Sequence, residues 1–404
     1  MASSLIDSSS DRWVRVGRSM APDGRSAGEE AAAQAQADRP ATVLMVFCST
    51  QYDTQEVLAG VCAATPDDVL VVGGTTMGEI AEPGPGLEHV GMAPAVVAMA
   101  LGGPGFQVTS TVVREASEQR RESGAASAEA MSGITAAHQV FLMIADGLTR
   151  EQHELVRGAY SVLGAAVPIV GGCSADNSEY SMTYQFHGTG AGVERLVDSV
   201  VGVGLGSNAP VGVGIAHGWT KQGDPMVVTS SEGGEIFLLD GEPAVDVYLR
   251  RVGVDRSVLD DAPAFRDFVF QHPLGLSRRS GEDLRVVHDA NLERGSLVCL
   301  ADVPQGALAW TMTTDPDALI EAAARSCEMA VDGLEGAAPR GLLLFDCGAR
   351  KVTLGPENLH AEQAAIAKCA AGAPFGGFYT FGEIGRTHGS RGMHQLTVVT
   401  LALA

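Results

Sequence analysis

Apolar positions in this chain gather into short unbroken runs separated by helical stripes, and the same succession of runs and stripes returns. Thr42-Val43-Leu44-Met45-Val46-Phe47-Cys48 is continuously apolar and predicts a strand buried on both faces. Val57, Leu58, Val61 and Cys62 then share one face of a predicted helix, and Val69-Leu70-Val71-Val72 predicts a second strand running into Gly73-Gly74-Thr75-Thr76-Met77-Gly78-Glu79-Ile80. A second copy runs from Val140 to Asp146, through a helix carrying Leu155, Ala159 and Val162, to Pro168-Ile169-Val170-Gly171-Gly172-Cys173-Ser174. The third runs from Leu342 to Cys347, through a helix carrying Ile366, Cys369 and Ala370, to Pro374-Phe375-Gly376-Gly377-Phe378-Tyr379-Thr380-Phe381-Gly382-Glu383-Ile384.

Cys48 to Gly73 and Asp146 to Gly171 both span 25 residues, while Cys347 to Gly376 spans 29, the excess being assigned to a loop after Arg350. Each copy closes on another apolar strand, at 96–101, 200–205 and 398–403. Duplication inside one globular fold explains this better than a solenoid, whose period would be regular.

Ahead of the first copy, residues 1–11 are Ser/Asp-rich and read as disordered, 13–17 alternate like a strand, and Ser26 and Glu29 have capping-box spacing before an Ala-rich helix near 27–37. Between the second and third copies, 211–218, 227–229 and 235–239 read as strands, the last two joined by Ser230-Ser231-Glu232-Gly233-Gly234. Residues 297–302 and 307–311 read as a strand pair, followed by a helix capped by Asp315 with Pro316 in its first turn. The fold class expected is mixed α/β, a layered sandwich of mixed sheets flanked by helices with duplicated strand–helix–strand units.

Composition narrows the function. The 27 Lys+Arg against 49 Asp+Glu give a net charge of −22, which disfavours nonspecific binding to nucleic acid or anionic lipid. Seven cysteines without a CxxC pair read as reduced thiols, and with no signal-like start and no apolar run of ~20 residues the expected location is cytoplasmic, without membrane contact. There is no HxxxH or HExxH spacing for a metal and no phosphate-binding glycine fingerprint.

Ligand sites in open α/β sheets lie outside the carboxyl ends of parallel strands, where Cys48, Asp146 and Cys347 are all expected, beside the Gly-Gly turns. Cys347 near Arg350 is a candidate nucleophile if the guanidinium lowers its pKa, against the plainer reading of a buried thiol. Arg350 either anchors a ligand carboxylate or pairs with Glu362 or Glu383. Glu79 and Glu383 follow similar turns and are candidates for acid/base work, or simply satisfy backbone amides. Asp146 reads as a cap for the helix after it.

Val46-Phe47-Cys48-Ser49-Thr50-Gln51-Tyr52-Asp53, the Gly73–Ile80 phrase, Ala216-His217-Gly218-Trp219, Leu238-Leu239-Asp240-Gly241 and the Phe375–Gly385 phrase resemble, in order, the N- and C-terminal FIST domains of the F-box and intracellular signal transduction family, from about residue 14 to the end. The resemblance implies a bacterial sensory protein binding a small molecule such as an amino acid. Some relatives bind haem and sense nitric oxide, which makes His187 and His217 candidate noncovalent haem ligands. A eukaryotic relative carries an F-box, for which this chain has no matching segment, so a separate signalling protein would take the output. The expected organisation is an arm over 1–40, a FIST N-terminal domain over 41–236 and a FIST C-terminal domain over 237–404. The ligand cleft is expected between the domains, lined by Cys347, Arg350, Tyr379, Thr380, Glu383, His217 and Trp219, with Thr75, Thr76 and Glu79 as the second choice. An enzyme using Cys347 or the two glutamates, and an interaction scaffold, are the competing functions.

Overall fold

A computed structural model describes residues 12–37, 39, 41–82, 91–278, 281–387 and 392–404; the segment expected to be disordered, 1–11, lies outside them. The first repeat comprises β1 (Trp13–Ser19), α1 (Gly24–Gln36), β2 (Val43–Ser49), α2 (Thr54–Ala63), β3 (Leu70–Thr76), β4 (Glu79–Ala81) and β5 (Val96–Gly102). The second comprises β6 (Phe106–Arg114), α3 (Arg120–Ser127), β7 (His138–Ala145), α4 (His153–Leu163), β8 (Ile169–Cys173), β9 (Gln185–Thr189), β10 (Gly192–Leu196) and β11 (Ser199–Ser207).

The third repeat opens with β12 (Val211–Ala216) and is interrupted by an insertion: β13 (Thr220–Glu232), β14 (Glu235–Leu239), β15 (Glu242–Pro243), α5 (Ala244–Val252), α6 (Ala262–Gln271), β16 (Leu274–Arg278), β17 (Gly281–Arg285), β18 (Val287–Asn291), β19 (Ser296–Cys299) and β20 (Leu308–Thr313). It resumes with α7 (Pro316–Asp332), β21 (Gly341–Cys347), α8 (Gly348–Leu354), α9 (Leu359–Ala370), β22 (Phe375–Thr380), β23 (Glu383–Arg386), β24 (Met393–His394) and β25 (Val398–Leu403). The architecture is mixed α/β, with several sheets flanked by helices.

Each repeat builds the same sheet. A central strand (β2, β7 or β21) runs parallel to the strand after its helix (β3, β8 or β22) and antiparallel to the closing strand (β5, β11 or β25). The opening strands β1, β6 and β12 pair with those closing strands. Residues 13–36, expected as an arm, are therefore the first strand and helix of repeat 1. The capping-box reading also shifts: the side chain of Asp23 accepts the Ser26 amide and starts α1 at Gly24. The expected boundary at 236/237 falls inside β14, and the excess of the third copy after Cys347 is taken up by the seven-residue helix α8 rather than by a loop.

The repeats are laced together by exchanged strands. Repeat 1 gives β4 to the sheet of repeat 3 (Ile80 opposite Gly377), and repeat 3 gives β23 to the sheet of repeat 2 (Ile384 opposite Gly171). Repeat 2 gives β9 to the sheet of repeat 1 (Phe186 opposite Gly73), which closes the cycle. The glycines are needed for close approach of the parallel neighbour: a Cβ at Gly73, Gly171 or Gly377 would lie 1.8, 1.9 or 2.0 Å from the carbonyl oxygen of Val46, Met143 or Leu344.

The inner faces of the three sheets share one apolar core, in which Met45, Leu142 and Leu343 hold equivalent positions, as do Leu101, Leu205 and Leu403. These six line a cavity of about 10 Å³, and Phe378 stacks on Phe47 with ring centroids 4.6 Å apart. Helices cover the outer faces. A Cβ at Gly60 would lie 2.0 Å from the Arg25 carbonyl oxygen, and one at Gly158 would lie 1.9 Å from that of Arg121, so α1/α2 and α3/α4 touch through backbone.

The insertion forms its own sheet, in the order β17-β16-β20-β13-β14-β19-β18. Its two outermost strands are consecutive in sequence, separated by Val286, so the sheet wraps around Tyr248, Leu274, Val287 and neighbouring apolar side chains. The expected 227–229/235–239 hairpin is there as β13–β14. The expected pairing of 297–302 with 307–311 is not: β19 pairs with β14 and β18, and β20 with β13 and β16, because β13 and β14 come between them.

Candidate functional site

The glycine register aligns the repeats residue by residue. It equates Cys48, Ala145 and Asp346 on the helix-facing side of the central strand, and Thr75, Cys173 and Tyr379 beside them on the parallel neighbour. Ser49, Asp146 and Cys347 form the next equivalent set, which corrects the expected match of Cys48 with Asp146 and Cys347 by one residue. The strands do have the same order and direction.

Repeat 3 alone fills the first two sets with ionic and phenolic groups. Asp346, Arg350, Glu362 and Tyr379 are all 1% exposed or less. Arg350 donates from Nε to Asp346 Oδ1 at 2.7 Å, and from Nη2 to Glu362 Oε1 at 2.8 Å and the Leu319 carbonyl at 3.1 Å. Tyr379 donates its hydroxyl to Glu362 Oε2 at 2.7 Å. Three helices thus converge on the carboxyl ends of β21 and β22: α8 carries Arg350, α9 carries Glu362, and the first turn of α7 offers a carbonyl.

Two atoms of this cluster, Arg350 Nη1 and Asp346 Oδ2, have no hydrogen-bond partner among the described residues. Burial pushes the Asp346 carboxyl well up, against the pull of Arg350. Burial also opposes the Arg350 charge, but Asp346 and Glu362 more than offset it and keep the guanidinium ionised. The Tyr379 phenol is pushed well up by burial and then by Glu362 and Asp346.

The insertion leaves at this same end, through His217-Gly218-Trp219. A Cβ at Gly218 would lie 2.6 Å from the Ala318 carbonyl oxygen, which seats the segment on the α7 turn that Arg350 reaches. Trp219 is buried, and its Nε1 has no hydrogen-bond partner among the described residues. His217 accepts the Trp219 amide on Nδ1 at 3.2 Å, and burial pushes its pKa down. These two residues lie in irregular chain between β12 and β13 rather than in strands, as expected for them.

The donated strands carry a second set of equivalent groups. Glu79 accepts from the Thr76 hydroxyl at 2.5 Å, and Glu383 from the Thr380 hydroxyl at 2.8 Å. Glu383 also accepts from the Thr397 amide at 3.1 Å and hydroxyl at 3.0 Å. The third equivalent is Gln185, whose Oε1 takes the Ser199 amide at 3.2 Å. Burial raises Glu383 to about 7, with the Thr397 and Thr380 contacts opposing, and raises Glu79 to about 8, with Thr76 and Lys351 opposing. Glu79 and Glu383 sit at different seams, repeat 1 with 3 and repeat 3 with 2, so they do not make one acid/base pair.

Cys347 follows the plainer of its two readings, the buried thiol. Arg350 is engaged by Asp346 and Glu362, and burial together with Glu383 pushes the Cys347 thiol well up. Cys62 and Cys369, expected on buried faces, are the partly exposed thiols, while Cys327 is buried. Asp146 does not cap α4, which begins at His153; its carboxylate accepts the Leu148 amide at 2.7 Å and the Asp198 amide at 3.1 Å.

Thr75 accepts the Tyr184 amide on its hydroxyl at 3.0 Å. His187 shares a 2.9 Å hydrogen bond with Ser110, and its cross-strand neighbour Glu194 lines a groove of about 670 Å³ along with Arg114, Glu115, Arg195 and Asp198. The groove is also lined by Val193, Leu196 and Val197, and His187 is not among its lining residues. Among the described residues no group of three or more His, Cys, Asp or Glu could hold a metal ion.

Of the residues expected to line one cleft, the structure joins Arg350 and Tyr379 through Glu362, with the His217–Trp219 segment against the α7 turn that Arg350 reaches. Thr380, Glu383 and Cys347 form the adjoining group. Sequence reasoning missed Asp346 and Lys351 as participants. The (i, i+4) spacing of Asp346 and Arg350 was the available signal; for Lys351, which touches repeat 1, there was none.

Residues 42–242 match the FIST N domain and residues 244–386 the FIST C domain; the chain belongs to the FIST family, whose domains are sensory modules of signal transduction. An uncharacterised protein of Mycobacterium tuberculosis is 26% identical over 392 residues, covering 95% of this chain and 97% of its own. An uncharacterised protein of Methanocaldococcus jannaschii is 27% identical over 157 residues, covering 37% of this chain and 30% of its own. Among solved structures, a cyanuric acid hydrolase from A. caulinodans aligns over 97% of this chain and 99% of its own with a TM-score of 0.33 and 11% identity. At that score the likeness has no bearing on function. Among the described residues no helix is long and apolar enough to cross a membrane.

Proposed function

We propose that this chain senses a small polar molecule, and that the molecule binds at the Asp346–Arg350–Glu362–Tyr379 cluster beneath the insertion. One observation carries the reading: three repeats of one architecture hold this position, and only repeat 3 charges it. Repeats 1 and 2 fold with Cys48 and Thr75, or Ala145 and Cys173, at the equivalent places. The fold therefore does not need the ions, and buried ion pairs are costly relative to apolar packing. Ions retained without structural need mark a functional site.

The open atoms set the ligand's chemistry. Arg350 Nη1 offers a donor and Asp346 Oδ2 an acceptor, so the fitting molecule both accepts and donates, as an amino acid does. Trp219 and His217 tie the cluster to the insertion, so seating a ligand there changes how the insertion packs on repeat 3 and gives a signalling partner something to read. A thermal-shift screen of the common amino acids and their decarboxylated amines, followed by calorimetry on any hit, tests the proposal. Affinity should fall about 10-fold or more in Glu362→Gln and in Tyr379→Phe, each loosening a hydrogen bond that holds the cluster in place. Unchanged affinity in both folded variants places the ligand elsewhere.

A further inference from the structure

This chain uses arginine almost exclusively as its cation: of 27 basic residues only Lys221, Lys351 and Lys368 are lysines. Lys221 has an ordinary surface role, paired with Glu282 at 2.7 Å and lying 4.2 Å over the Trp310 ring. Lys368 sits in the last turn of α9, where a cation complements the helix end. Lys351 is different. It points inward from α8 across the seam between repeats 3 and 1, donates to the Met77 carbonyl and lies 5.6 Å over the Tyr379 ring.

The surroundings are shaped for that amine. Gly78 has φ +136° and a Cβ on it would lie 2.9 Å from the Gly91 carbonyl oxygen, which calls for glycine, and the Lys351 amine lies against it, 2.6 Å from that Cβ position. Glu79, the next residue, is fully buried, with Thr76 holding Oε1. Thus α8 supplies an amine, the β3–β4 turn a carboxyl and β22 an aromatic face. Lys351 itself is half-buried.

A guanidinium would serve better for a fixed charge, with more donors and a weaker hydration shell. What a lysine has and an arginine lacks is a lone pair once the proton leaves. We infer that Lys351 is a carbonyl-capturing amine, which takes a small aldehyde or 2-oxo acid as a reversible imine while Glu79 carries the proton. The neutral amine adds to the carbonyl carbon to give a carbinolamine. Glu79 then protonates the departing hydroxyl, water leaves as the C=N bond forms, and the Glu79 carboxylate takes the proton back from the iminium nitrogen, so that amine plus carbonyl gives imine plus water. Burial supports this by favouring the uncharged amine, with Glu79 opposing. The inference shares the Tyr379 ring with the ligand site proposed above, but its chemistry lies on Lys351 and Glu79, neither of which belongs to the Arg350 cluster.

With so few lysines the test is direct. The full-length protein is incubated at pH 7 with glyoxylate and cyanoborohydride, which reduces an imine to a stable secondary amine, and the modified peptides are quantified against time. Lys351 should be modified about 10-fold or more faster than Lys221 and Lys368. Glu79→Gln should slow capture at Lys351 by about 10-fold and leave the two surface lysines unchanged, since a positioned acid contributes at least that much. Lys351→Arg should show only the slow surface modification, while keeping the amino-acid affinity measured for the wild type. Equal rates at the three lysines, or Lys351 slowest, overturns the inference. An unchanged rate at Lys351 in Glu79→Gln removes the glutamate's role.

Discussion

Arg350 illustrates how little a residue's type reveals before its partners are known. Its pairing with Glu362 was one of the alternatives open from sequence, and the structure adds Asp346 and the Leu319 carbonyl. Removing the guanidinium strands two buried carboxylates, so Arg350→Met should cost about 3–5 kcal/mol in urea unfolding. Neutralising the set together (Asp346→Ala, Arg350→Met and Glu362→Met) should recover most of that loss, because repeats 1 and 2 already fold without it. A triple variant as unstable as the single one would mean that the ions are structural.

At the seams, Glu79 and Glu383 are raised to about 8 and about 7 from ordinary values near 4.5. A carboxyl raised by folding contributes stability that is complete below its unfolded pKa and is lost as pH climbs through its folded one. Wild-type stability should therefore fall between pH 5 and 8. Glu383→Gln, which copies Gln185 of the third seam, should flatten that slope and be about 1–3 kcal/mol more stable than wild type at pH 8. Denaturation at pH 5, 6, 7 and 8 checks it. The choice between the two readings of Cys347 belongs to this scale too: Arg350 is three residues away in sequence, but burial and Glu383 push the thiol up, and neither is written locally.

Among elements, the strands were legible because central strands buried on both faces appear as unbroken apolar runs, as 43–48, 140–145 and 342–345 do. Register was less so. The expected alignment of the repeats slipped by one residue because Gly73-Gly74 and Gly376-Gly377 look alike on paper, whereas it is Gly377 that meets the neighbouring carbonyl as Gly73 does. Helix contacts give a sharp test of this packing. Alanine normally stabilises a helix over glycine by about 1 kcal/mol. At Gly60, however, the added methyl would lie 2.0 Å from the Arg25 carbonyl oxygen, so Gly60→Ala should instead cost about 1–3 kcal/mol and lower the thermal midpoint. A rise in that midpoint would show that α1 and α2 can move apart freely.

For the molecule as a whole, duplication was visible in the sequence but the lacing was not, because β4 and β23 are three and four residues long. The insertion was visible as extra strands, yet nothing local indicated that it interrupts a repeat between β12 and α7 rather than beginning a domain near residue 237. Because every repeat completes another's sheet and all three share one core, residues 1–207 and 208–404 expressed separately should each be poorly soluble, with weak near-ultraviolet dichroism, and regain a native spectrum when co-expressed. A soluble, natively packed 1–207 fragment would refute the closed cycle as the basis of stability.

Because β4 at 79–81 docks beside β22 at 375–380, the first repeat cannot reach its final partner until residues 375–380 have been made. Domains usually fold as they emerge, N-terminal part first; this one has to wait. For most of its time in translation the nascent chain carries an unclaimed strand and an uncovered sheet edge, both able to pair with a stranger. A ribosome stalled between codons 81 and 375 would hold an adhesive intermediate instead of a set of finished parts, and such a chain would need a chaperone's cover until β22 is made.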